Sequence, residues 1–184
     1  MSKTIDDHLK RLNPTGIEWA DMTEQQKEDL RDKWNAVASD PENLNCTCPR
    51  TFCRNNHNCR NCIALHRYFD GLPDCLRRLE REMQADVPPG KRYTEKMNPT
   101  GMDGAALAKR DPAHAKRVAE EWNDIVKNPK NTACNCPRTD CWYHGNCVKC
   151  IALHRSYDGF PNCVRYIVDE IEAVVDAYKQ TEQA

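Results

Sequence analysis

A block of cysteines occurs twice in this chain. "NCTCPRTFCRNNHNCRNCIALHRYFDGLPDC" runs from Asn45 to Cys75, and "CNCPRTDCWYHGNCVKCIALHRSYDGFPNC" repeats it from Cys134 to Cys163. Both copies follow C-x-C-P-R-T-x-C-x5-C-x2-C-x3-H-x8-C, so one constraint on donor geometry is imposed twice. A proline-broken, thiol-rich loop cannot build an apolar interior. Whatever these donors hold must do part of the work of a core.

The repetition extends beyond the sulfurs. "NPTG" stands at Asn13 to Gly16 and again at Asn98 to Gly101, and "WNAVASDPEN" from Trp34 is answered by "WNDIVKNPKN" from Trp122. Self-similarity on this scale marks a repeated supersecondary unit. The chain therefore divides into a first cysteine-rich module, 1–86, a linker, 87–92, and a second module, 93–184. The join lies in "ADVPPGKRY", Ala85 to Tyr93, where Pro-Pro-Gly interrupts regular structure. A flexible tether and a packed turn are both compatible with it.

Apolar residues recur with a helical period, and nothing alternates with period two. The expected fold class is mainly α: two tandem homologous small helical modules, each built around an irregular cysteine-rich metal-binding loop. Thr23 with Gln26 forms a capping box opening a helix whose face carries Leu30, Trp34 and Val37. Asp111-Pro112 opens its counterpart, with Ala115, Val118, Trp122 and Ile125 on one face. Asp40-Pro41 and Asn128-Pro129 end these helices, because proline pushes the preceding residue out of the helical region. "LPDCLRRLEREM" and "FPNCVRYIVDEIEAVVDAY" read as further helices, the last with a stripe of Val164, Ile167, Val168, Ile171 and Val174. Trp34 and Trp122 are expected to pack on the cysteine loops. "NPTG" reads as a turn that docks the N-terminal arm.

The donors are Cys46, Cys48, Cys53, Cys59, Cys62, His66 and Cys75 in the first copy, and Cys134, Cys136, Cys141, Cys147, Cys150, His154 and Cys163 in the second. On a helix, Cys59, Cys62 and His66 fall within about 60° of arc, as do Cys147, Cys150 and His154. Two thiols and an imidazole on one stripe suit a soft cation such as Zn²⁺, and the dipole at a helix start favours thiolate. Seven donors exceed the four of one tetrahedral zinc. Six terminal donors and one bridging thiolate would satisfy two zincs; the simpler scheme is one zinc per repeat with spare thiols. Arg50 and Arg67 are placed to balance the anionic cluster of the first copy, and Arg138 and Arg155 that of the second.

Three rivals stand beside zinc. An iron–sulfur cluster would use four of the thiolates. Redox-active C-x-x-C pairs lack a surrounding βαβ pattern. A disulfide framework accounts for the even cysteine count but not for the matched histidines. The charged start "MSKTIDDHLKRLNPTG" lacks the apolar run of a signal peptide, and no segment approaches a membrane span. These features lead us to expect a cytoplasmic location, where thiols stay reduced. His57 and His144 are offset by one position between the copies and are left out of the ligand set; His8 and His114 read as surface residues.

The run from Cys134 to Cys163 resembles a family of small cysteine-rich bacterial cytosolic proteins of unknown function, which carry one C-x-C-x4-C-x2-H-G-x-C-x2-C-x3-H block followed by Pro-x-Cys. The second copy matches through Cys134, Cys136, Cys141, His144, Gly145, Cys147, Cys150, His154, Pro161 and Cys163; the first has Asn56-His57 where the pattern has His-Gly. The resemblance implies a compact metal-binding module, here in tandem.

Thirty-nine per cent of residues are hydrophobic and 30% charged, with only three Phe among 184 residues, so each half has little apolar surface with which to form a core. Net charge is −1 with no basic stripe, which argues against nucleic acid as a partner. No Ser/His/Asp arrangement, phosphate loop or HExxH is present. Asp70 and Asp158 are the acid/base candidates, and a helix C-terminal turn explains them more simply. The function expected is that of a metal-binding module acting as a binding, adaptor or regulatory protein toward an unidentified protein partner. Iron–sulfur electron transfer and metal sensing or storage are the alternatives.

Overall fold

The computed structural model of the chain describes residues 10–51, 53–93 and 109–182. Helix dominates, and no strand occurs among the described residues. In the first half, α1 (Glu24–Ser39) starts from Thr23, whose hydroxyl accepts from the Gln26 N–H while the Gln26 side chain accepts from the Thr23 N–H. Asp40 does two jobs: its extended backbone ends α1, and its carboxylate caps the single turn α2 (Pro41–Leu44). After the cysteine loop, Asn58 caps α3 (Cys59–Tyr68), and α4 spans Arg77–Met83.

The second half follows the same order. Asp111 caps α5 (Pro112–Lys127), and Asn128 ends it and caps α6 (Pro129–Thr132). Asn146 caps α7 (Cys147–Ser156), and α8 runs over Arg165–Glu182. The helix containing Arg77 begins later than expected, because Pro73 to Leu76 form a turn (Leu76 N–H to the Pro73 carbonyl, 2.8 Å), with Leu72 and Leu76 buried on either side. On α8 the buried stripe ends at Val175, with Val174 only partly covered; the rise from Ile171 to Val175 is one helical turn.

The cysteine helices α3 and α7 share a C-terminal geometry. Gly71 N–H donates to the His66 carbonyl and Asp70 N–H to that of Arg67, with Gly159 to His154 and Asp158 to Arg155 in the second half. These are Schellman bonds, with aspartates at φ 51° and 54° in the left-handed position usually taken by glycine. The helix C-terminal turn expected at Asp70 and Asp158 is present.

The halves are interlocked. Helix α1 and the turn α2 pack on α7 of the second half, while α5 and α6 pack on α3 of the first. The two cysteine helices pack against each other, and α4 packs on α8. Ile63 and Ile151 meet in a shared core with Leu72, Leu76, Leu79, Phe160, Val164, Ile167, Val168 and Ile171, and this core backs the cysteines of both halves. Each tryptophan is also exchanged. Trp34 packs with Trp19 (6.0 Å between centroids) and with Trp142 of the second cysteine loop (5.9 Å), whereas Trp122 packs with Leu65 and Phe69 of the first half.

The N-terminal "NPTG" is a turn: Asn13 Oδ1 accepts from Thr15 N–H at 3.3 Å, and Gly16 sits at φ 67°. It is followed by Trp19, which docks edge-on against Trp142 at 5.4 Å. The second "NPTG" and His8 lie outside the described residues. The join is a packed turn as far as Tyr93. Val87 is buried, the Tyr93 N–H donates to Gln84 Oε1 at 2.7 Å, and its hydroxyl donates to the Asp70 carbonyl at 2.7 Å. No helix among the described residues is long and apolar enough to cross a membrane.

Candidate functional site

Three segments bring the sulfurs of each half together. An extended strip after α2 carries Cys46 and Cys48. Two tight turns, Cys53 N–H to Arg50 carbonyl (3.0 Å) and Asn56 N–H to Cys53 carbonyl (2.9 Å), reverse the chain into α3. The start of α3 supplies Cys59 and Cys62, and the turn before α4 supplies Cys75. The second half repeats this with Cys134 and Cys136, Cys147 and Cys150, and Cys163. The reversal needs a left-handed residue just before the helix cap: His57 at φ 60° in one copy, Gly145 at φ 79° in the other. That is the physical meaning of the offset between His57 and His144.

Five cysteines line one small cavity in each half: Cys46, Cys48, Cys59, Cys62 and Cys75 in the first, Cys134, Cys136, Cys147, Cys150 and Cys163 in the second. Each cavity encloses about 30 Å³, room for a water-sized guest. All twelve thiols are free and half-buried. Cys53 and Cys141 do not line these cavities, and neither do His66 and His154, although His66 is buried. Among the described residues no group of three or more Cys, His, Asp or Glu donors stands in metal-holding geometry.

Burial pushes Cys62 and Cys150 strongly up from the ordinary thiol range, and the neighbouring sulfurs add to it. For Cys62 these are Cys75, Cys53, Cys59 and Cys48; for Cys150 they are Cys163, Cys141, Cys147 and Cys136. Each of these two thiols thus feels four other cysteines of its own half. Burial likewise raises Cys75 and Cys163 to about 12, and raises Cys59 and Cys147. Cys48 rises to about 11 through burial and the adjacent Asp74 carboxylate. Metal-free, these are neutral thiols.

The residues around the sulfurs differ between halves in ways that spacing does not reveal. Cys48 Sγ donates to Asp74 Oδ2 at 3.2 Å, and Asp74 also pairs with Arg77 (3.2 Å) and Arg50 (3.7 Å). At the matching place Asn162 Nδ2 donates to Cys136 Sγ at 3.5 Å. Asn56 Nδ2 donates to Cys46 Sγ at 3.6 Å, and His144 Nδ1 takes its place 3.8 Å from Cys134 Sγ. Asp74 and Asn162 each directly precede a donor cysteine, the one signal that could have found them.

For Arg67 and Arg155 the expected pairing with the cysteines of their own copy is corrected by the structure. Arg67 does not serve the first cluster. It reaches the second half, donating to the Asn131 carbonyl (2.5 Å) and to Asn135 Oδ1 (2.7 Å). Arg155 reaches the first half, donating to the carbonyls of Asn43 (2.6 Å) and Asn45 (3.3 Å) and to Thr47 Oγ1 (3.2 Å). The reason is the exchange of helices, which points the C-terminal end of each cysteine helix at the opposite loop.

No family model, no curated protein and no solved structure matches this chain.

Proposed function

We propose that the chain is a zinc-binding protein in which each half holds a closed thiolate cluster, and that the loaded pair serves as a binding or adaptor module. The observation that carries this reading is the gathering of five cysteines, from three separate segments, around one small cavity, and its recurrence in the second half. A polar chain with a thin core gains folding free energy from such bonds.

The central position of Cys62 and Cys150 fits the binuclear scheme. A thiolate with four other cysteines around it is the natural bridge, leaving Cys46, Cys48, Cys53, Cys59, Cys75 and His66 as terminal donors in the first half, and Cys134, Cys136, Cys141, Cys147, Cys163 and His154 in the second. Zinc would draw the sulfurs together, deprotonate the thiols and release their protons. A cluster closed by cysteine and histidine offers no open position for chemistry, so its role is to hold surfaces in place for a partner.

Elemental analysis and an absorption spectrum of protein purified without oxygen test this. Two zincs per half support the bridged cluster, and one per half supports the simpler site. Iron with visible absorption would replace zinc by an iron–sulfur cofactor. A metal-free chain that unfolds cooperatively would overturn the reading.

A further inference from the structure

We infer that each cysteine cage is a composite site, completed in trans: the half that supplies the sulfurs does not supply the cationic wall, which is Arg155 for the first cage and Arg67 with Arg60 for the second. This rests on the proposed metal binding for its purpose, although the geometry stands without it. The first cavity is lined from across by Val148, Ile151, Ala152 and Arg155 of α7, and the second by Arg60, Ile63, Ala64 and Arg67 of α3. Arg67 and Arg155 are equivalent in the repeat and make equivalent bonds, each gripping the strip that leads into the opposite cysteine pair. Arg67 clamps Asn131 and Asn135, which flank Cys134; Arg155 clamps Asn43, Asn45 and Thr47, which flank Cys46.

The electrostatics run the same way. Arg155 lines the first cavity together with Cys59 and Cys75, and Arg67 and Arg60 line the second together with Cys147 and Cys163. A thiolate cluster around divalent zinc carries net negative charge, so a guanidinium in the wall stabilises the loaded state. These are positioning residues: they touch the sulfur strip and the cluster's field, and need not bind the metal. The exchange gives the protein a device that separate modules lack, in which loading one half depends on the folded helix of the other.

The test is half-resolved cysteine alkylation of the zinc-loaded full chain under graded chelator, read by peptide mass spectrometry. In Arg67→Met, Cys134, Cys136 and Cys163 should lose protection at about tenfold lower chelator, the value of one charged hydrogen bond, while Cys46, Cys48 and Cys75 hold their threshold. Arg155→Met should give the mirror image. Arg67→Lys and Arg155→Lys, which keep the charge but lose the forked grip, should show smaller shifts in the same halves. An effect in the arginine's own half, or an equal effect in both halves, overturns the inference. The same variants alkylated without zinc should react faster in the opposite half as the strip is released, and rates changed only in the same half, or unchanged, also overturn it. If zinc protects no cysteine in the unsubstituted chain, the metal reading falls, and the zinc-free rates alone decide the trans arrangement.

Discussion

Cys62 and Cys53 belong to the same motif, yet their surroundings differ. Cys62 lines the cavity with four other cysteines acting on it, whereas Cys53 does not line it. On the proposed two-zinc scheme, Cys62→Ser should strip both zincs from the first half, and Cys53→Ser at most one; zinc counted per chain checks this, and equal losses would remove the bridge. Asp74 is the other residue whose chemistry departs from its counterpart. Its carboxylate beside Cys48 adds negative charge to a site that is anionic when loaded, whereas Asn162 donates to Cys136. The first half should give up zinc to a chelator before the second, and Asp74→Asn should narrow the gap, as followed by half-resolved alkylation. Asp70→Gly is the control. Glycine suits the left-handed cap, so metal content should stay unchanged and stability should move by no more than about 1 kcal/mol. None of these distinctions is legible from donor spacing, because hydrogen bonds to sulfur depend on which loop atoms the turn brings near.

Helix termini were the most legible part of the fold, since a cap is a contact within a few residues. Thr23 and Gln26 announce α1, and Asp111-Pro112 announces α5, in residues that sit next to what they cap. What the Asp-Pro and Asn-Pro pairs concealed is that the same residue which stops one helix starts a further turn. Thr23→Ala should cost about 1 kcal/mol in denaturant unfolding, and a loss within error would mean that α1 is held by Trp34 and its neighbours rather than by its cap. Burial was less legible than capping. The period places Val174 on the stripe of α8, but Val175, one turn beyond Ile171, is the residue that is buried, because tertiary packing and not the period sets which edge of a helix is covered. The donor stripe shows the same limit. Cys59, Cys62 and His66 do share a helix, yet only the two thiols line the cavity.

At the scale of the molecule, the repeat announced two similar units and was silent on how they are joined. Both cysteine helices carry the same "CIALHR", so periodicity alone cannot say whether Arg67 faces its own loop or the other one. The exchange has a thermodynamic consequence. In a chain restricted to residues 1–93, α3 would lose its cover of α5 and α6, α1 would lose α7, α4 would lose α8, and Ile63 would lose Ile151. A half with so thin a core cannot offset the conformational entropy of ordering its loops. Its remaining route is a second copy, with α1 of each laid on α3 of the other and Arg67 gripping the opposite strip, so that the repeat's internal symmetry is rebuilt as a homodimer. Residues 1–93 with zinc should therefore be helical only as a dimer, with unfolding that depends on protein concentration. Sedimentation paired with circular dichroism decides it: a helical, zinc-loaded monomer would show that one half folds unaided and that the interlock is incidental to stability.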